Sequence, residues 1–167
     1  MNIRTSNVPY DLLSFTRILV KFYEDNFLKT KGIEEVKVAF GEIDDCIATT
    51  DYVPDEYRPT FFTIEFSNDY RDIKPNLYAT TIFHEMAHVD QYASGRLKQD
   101  RAGNFIWNKA KYKYVNLLYH EHPWEIEAYG IEQLAMLKFL DEHGSDYGLQ
   151  EPRLNGRKRM NWRVYEY

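Results

Sequence analysis

The chain has 167 residues, 44% of them hydrophobic and 16% aromatic, and a formal net charge of -5 at pH 7. That is enough apolar material for one packed domain and too little length for two comfortable ones, and it excludes a disordered chain. The negative balance excludes a generally basic nucleic-acid coat, and a single cysteine, Cys46, excludes a disulfide scaffold and fits a reducing, cytoplasmic setting. Residues Met1 to Val8 hold no long apolar run, so no signal peptide is expected. No window is suited to crossing a bilayer.

In chain order, residues 9 to 29 read as a first helix. Pro9 suits a first-turn position, Leu12, Phe15, Ile18, Leu19, Phe22 and Tyr23 recur at helical spacing, and Gly32 follows as a stop. Three runs of strand character come next: Glu35 to Phe40, Cys46 to Thr50, and Pro59 to Phe66. Asp51 to Arg58, with Pro54, reads as the loop between the last two. Pro75 and Asn76 open a second helix that runs to about Tyr92 and stops before Gly95. From Gly95 to Glu121 the chain is first polar and then aromatic (Phe105, Trp107, Tyr112, Tyr114, Tyr119), which reads as a long loop or irregular hairpin beside a cleft. A last helix begins at Pro123 and ends near Gly144. The expected organisation is one domain over residues 1–144 and a basic tail over 145–167. In that tail Arg153, Arg157, Lys158, Arg159 and Arg163 stand against Glu151 and Glu166.

The second helix contains His84-Glu85-Met86-Ala87-His88. Histidines four apart on a helix project from nearly the same face, so both imidazoles can meet on one metal ion. The glutamate between them stands where it can take a proton from a water on that ion, which is the H-E-x-x-H pattern of zinc peptidases. On a helical projection Ala79, Ile82, Phe83, Met86 and Val89 gather on one side. His84 and His88 fall opposite, with Leu77, Thr80, Thr81 and Gln91. This layout predicts one face packed on a sheet and the other lining a cleft.

A catalytic zinc takes three protein ligands and a water, so a third ligand must come from elsewhere. The stretch His120-Glu121-His122-Pro123-Trp124-Glu125-Ile126-Glu127-Ala128 offers candidates. On the last helix Ile126, Tyr129, Leu134, Met136, Leu137 and Leu140 build the predicted apolar arc. Glu125 falls at its edge, while Glu127 falls beside Lys138 on the polar side. A carboxylate turned toward the core needs a partner, because an unpaired buried charge is costly. Glu125 is therefore the expected ligand, with Glu127 and then His122 or His120 as alternatives.

Thr80-Thr81-Ile82-Phe83-His84-Glu85-Met86-Ala87-His88-Val89-Asp90-Gln91-Tyr92, followed by Pro123-Trp124-Glu125-Ile126-Glu127-Ala128, resembles the small gluzincin-like metallopeptidases of phages and bacteria, of the SprT-like or ImmA/IrrE-like kind. The match covers about a quarter of the chain. In such peptidases a second motif similar to E-x-x-x-D supplies the metal-binding glutamate. That register also falls on Glu125, and its aspartate position is Tyr129. The resemblance implies a minimal zincin-like α+β domain: a small, mostly antiparallel sheet, an N-terminal helix, the H-E-x-x-H helix and a third-ligand helix.

The expected function is zinc-dependent peptide hydrolysis, with Zn2+ on His84, His88 and Glu125 and with Glu85 as general base. Tyr112, Tyr114, Tyr119, His120 and His122 are unranked candidates for stabilising the oxyanion. The expected partner is a protein or peptide substrate, with no membrane. A catalytically inactive metal-binding module that recognises a host or viral protein is the alternative, favoured if His122 closes a four-ligand site. The basic tail leaves open a contact with nucleic acid, although a solvated tail is the ordinary reading of such charge.

Overall fold

The computed structural model describes residues 1–52, 58–100, 102–113 and 118–149. The main sheet has four strands, β1 (Asn2–Ser6), β2 (Glu35–Gly41), β3 (Ala48–Tyr52) and β4 (Phe61–Ser67), in the order β1-β2-β4-β3. The alternation of Phe-Phe-Thr-Ile-Glu-Phe-Ser explains β4. Phe62, Ile64 and Phe66 point into the core, and Phe61, Thr63 and Glu65 point away. Val36, Val38 and Phe40 of β2 are buried beside them. Among the described residues three α-helices, α1 (Leu13–Asn26), α2 (Pro75–Ala93) and α3 (Pro123–His143), accompany the sheet. The α+β expectation holds, but the main sheet is not mostly antiparallel. β1 runs parallel to β2 and β2 parallel to β4, and only β3 is antiparallel to its neighbour. The missed strand is one reason, and the place of β3 outside β4, not between β2 and β4, is the other. Asn-Ile-Arg-Thr-Ser is too polar to signal a strand, yet it starts a β1–α1–β2 unit whose crossover helix returns the chain in parallel.

The first helix is shorter than its pattern. A single 3-10 turn covers Tyr10–Leu12, and the α-helix ends at Asn26, where Phe27 turns out of helical geometry. The second helix matches its expected bounds, with Pro75 in the first turn and Gly95 at φ 71 just past the end. The segment read as a loop contains a second, antiparallel sheet: β5 (Leu97–Gln99), β6 (Phe105–Trp107) and β7 (Ala110–Tyr112). Its strands are three residues each, below what periodicity can resolve. Its inner face, with Leu97 and Trp107, packs on Trp124 of α3. The core also runs past residue 144: Tyr147 stacks on Phe139, and Leu149 is buried. The residues of the expected basic tail from 150 on, like Tyr114, lie outside the described residues. None of the described helices is long and apolar enough to cross a membrane.

α2 is the spine of the domain. Ile82, Phe83, Met86 and Val89 are completely buried on one side, against α1 and the sheet. The opposite side is not an open cleft. α3 lies across it, and every residue from Thr81 to Gln91 is buried.

Candidate metal centre

α3 meets α2 through Ala128 and Ala135, both fully buried. These small residues let the two helices approach closely enough for polar side chains to meet between them. His84 Nε2 and His88 Nε2 lie 3.2 Å apart. Glu125 Oε2 lies 3.2 Å from the first and 3.5 Å from the second. Among the described residues, His84, His88 and Glu125 form the one group whose ligand atoms all converge in this way and could hold a metal ion. No family model, curated protein or solved structure matches this chain.

The donor chemistry fits a cation. His84 Nδ1 lies 2.8 Å from Glu132 Oε2, and His88 Nδ1 lies 2.8 Å from Gln91 Oε1. Gln91 Nε2 in turn donates to the Trp124 carbonyl at 2.9 Å, which fixes its oxygen toward His88. Each Nδ1 therefore faces an acceptor and carries the proton when the ring is neutral, an assignment made from the hydrogen-bond network. Each Nε2 is left with a lone pair aimed at the same point as the Glu125 carboxylate. Two lone pairs and an anion, all buried, call for a positive charge between them.

Protons compete for that place. Burial alone would lower the basicity of His84, but hydrogen bonds to Glu125 and Glu132 and the charges of Glu85 and Glu125 outweigh it and push the pKa up to about 10. His88 is raised as well, against its burial, chiefly by Glu125. Burial opposes ionisation of Glu125, yet the two histidines hold it well below the usual carboxylate range. A metal must displace protons from histidines whose pKa values are raised. Metal affinity is therefore expected to rise with pH until the His84 pKa of about 10 is passed, by up to tenfold per unit for each proton released. Chelator-competition titrations up to that pH would show it, and a flat profile would mean that the histidines are not the ligands.

Glu85, on the same helix, is buried but stays out of the triad. The Thr50 hydroxyl of β3 lies 2.8 Å from Glu85 Oε2 and 3.1 Å from its carbonyl oxygen, so the edge strand is tied to this carboxylate. The other candidates separate clearly. Glu127 does not sit beside Lys138, which pairs with Glu142. It accepts from Arg96 at 2.6 Å instead. His122 is buried, stacks on Trp124 at 4.5 Å and directs Nδ1 to the Tyr119 carbonyl. His120 is exposed in the 3-10 turn Tyr119–Glu121, and Tyr112 packs edge-on against Trp124. None of Glu127, His122 and His120 joins the triad. Tyr119 differs: although its ring is exposed, its phenol lies near enough to Glu125 to feel that carboxylate. Burial first, then the Glu125 charge, hold that phenol protonated far above its ordinary pKa.

Four functional side chains escaped the reading of the sequence. Glu132 supplies the carboxylate that a family-like motif would carry at Tyr129. Tyr129 lays its ring against His84 at 4.7 Å instead. Two helical turns separate Glu132 from Glu125, so spacing could have found it. Gln91, three residues after His88, carried a similar signal. Thr50 and Arg96 carried none, because each reaches the site through tertiary contact. A surface groove lined by Met1, Ile3, Arg17, Phe22 and His143 among others includes no residue of the triad.

Proposed function

We propose that this chain is a zinc-dependent peptidase. The observation that carries the proposal is the ligand triangle, with edges of 3.2, 3.2 and 3.5 Å. Tetrahedral zinc with ligands at about 2.0–2.1 Å has edges of about 3.3–3.4 Å between them. His84, His88 and Glu125 would hold the ion, and Glu132 and Gln91 would orient the two imidazoles.

When bound, the ion supplies Lewis-acid activation of a water and polarisation of the substrate carbonyl. Glu85 accepts the proton of the attacking water and passes it to the leaving amine. Thr50 holds Oε2 of that carboxylate, which leaves Oε1 for the proton. Tyr119, kept protonated, donates to the oxyanion as negative charge develops. β3 lies at the edge of the sheet, so an extended peptide can pair along it beside Glu85.

The test is metal content with hydrolysis of a mixed peptide library. One zinc per chain is expected, with cleavage that a chelator stops and added zinc restores. A zinc-loaded protein that cleaves nothing would leave the second reading, a closed and non-hydrolytic metal site. The deep burial of all three ligands favours that second reading, and the general base beside them speaks against it. Chelation is also expected to lower the unfolding temperature. Free ion at a thousandfold excess over Kd stabilises the folded state by about 4 kcal/mol, a shift on the order of 8–16 °C for a chain of this size. Calorimetry with and without chelator measures it, and an unchanged transition would argue against any tightly held ion.

A further inference from the structure

Glu125 stands at the third position of α3, in the turn where a helix frays most readily. His122 precedes that turn and supplies no side-chain cap to it. Something else must hold it, because the other two ligands sit on a helix that is buried along most of its length. Besides the two histidines, Gln91 and Arg96 reach the turn from α2 and its continuation. Gln91 Nε2 donates to the Trp124 carbonyl at 2.9 Å. Arg96 Nη1 donates to both carboxylate oxygens of Glu127, at 2.6 and 2.7 Å. The first tether lands one residue before Glu125 and the second two residues after it.

Arg96 is anchored as firmly on its other side. Nη2 donates to Asp90 Oδ2 at 3.2 Å and Nε to Ser94 Oγ at 3.2 Å, and the guanidinium lies 5.3 Å from the centre of the Trp107 ring. Asp90 is itself buried, and its Oδ1 takes the backbone amides of Lys29 and Thr30. One guanidinium therefore spans two carboxylates. Asp90 lies two residues beyond His88, and Glu127 two beyond Glu125. An ion pair of this exposure is ordinarily worth little to stability. What distinguishes it is its place, across the seam between the helices that carry the ligands.

We infer that Arg96, with Gln91, is a positioning residue that keeps Glu125 at ligand distance from His84 and His88 by pinning the uncapped first turn of α3 onto α2. The inference rests on the metal-binding part of the proposed function and not on hydrolysis.

The test titrates the full chain with Co2+ alone, whose visible absorption reports ligand number and geometry, in wild type, Arg96→Lys, Glu127→Gln and the double variant. Thermal unfolding without metal is measured in parallel. Arg96→Lys keeps the charge but loses the planar fork that spans Asp90 and Glu127. Wild type is expected to bind one Co2+ per chain. Each single variant is expected to lose affinity about 10-fold, as partners behind metal ligands do, with weaker and shifted bands. The double variant should be no worse than the weaker single one, since both break the same link. Wild-type affinity and bands in folded variants, whatever the drop in unfolding temperature, would overturn the inference and leave Arg96 a stabilising contact only. Fully additive losses would overturn it too. Should Arg96→Lys not fold, Glu127→Gln alone carries the comparison from the other end of the link. A wild-type chain that binds no Co2+ would overturn the metal reading itself, and that result is seen before any variant is compared.

Discussion

Replacing Glu85 with glutamine is expected to leave one metal ion per chain in place and to abolish peptide hydrolysis. Glu85 is not among the three converging ligand atoms, so its charge is not needed to hold the ion. Glutamine has nearly the same volume, and its amide oxygen can still accept from the Thr50 hydroxyl that now sits 2.8 Å from Glu85 Oε2. The variant should therefore fold and load like wild type. What glutamine cannot do is take a proton from water. General-base assistance contributes about 10²–10⁴ in rate, so turnover should fall at least that far. Zinc by elemental analysis and cleavage rates on the same preparation check both halves. Full activity with a full complement of metal would remove Glu85 from the chemistry and end the proposed mechanism.

Glu125→Gln is expected to lose metal, whereas Glu127→Gln is expected only to weaken its hold. Two neutral imidazoles remain in the first variant, with no anion to balance a divalent charge. The loss should exceed the roughly 10- to 100-fold that follows removal of a group standing behind a ligand. Glu127 is turned away from the triad and engaged by Arg96, so its amide should cost about 10-fold at most. Competition against a chelator of known affinity ranks the two. The reverse order would move the third ligand to Glu127.

The two-histidine motif was legible in the sequence because helical spacing alone brings His84 and His88 to one face, and α2 keeps nearly the bounds that Pro75 and Gly95 announce. Glu125 was legible for a reason only half right. The predicted apolar arc of α3 included Ile126, Leu134 and Leu137, and these three are exposed. The buried face is built from Ala128, Ala135 and Phe139, together with Met136, which the predicted arc did include. Residue size misled there: helices that must bring polar ligands together approach on alanines and leave larger aliphatic residues outside. Glu125 stands on the α2 side beside Met136 and Tyr129, the part of the predicted arc that does face inward. β1 stayed hidden because a polar edge strand has little pattern to offer, and with it went one of the two parallel pairs; the other, β2 with β4, arises because β3 lies outside β4. β5, β6 and β7 were too short for period-two alternation to stand out from a loop. Thr50 and Arg96 were beyond reach for another reason, since contacts with Glu85 and Glu127 across tens of residues leave no local trace.

The spine-like burial of α2 has a consequence for how an ion would be captured. Ile82, Phe83, Met86 and Val89 fasten that helix to the core on the side away from the site, so both imidazoles are preorganised whether or not an ion is present. The third donor arrives on a turn that lacks a cap. The tethers from Gln91 and Arg96 take the place of that cap, so little conformational entropy is left to be given up on binding, and what remains is confined to a single turn.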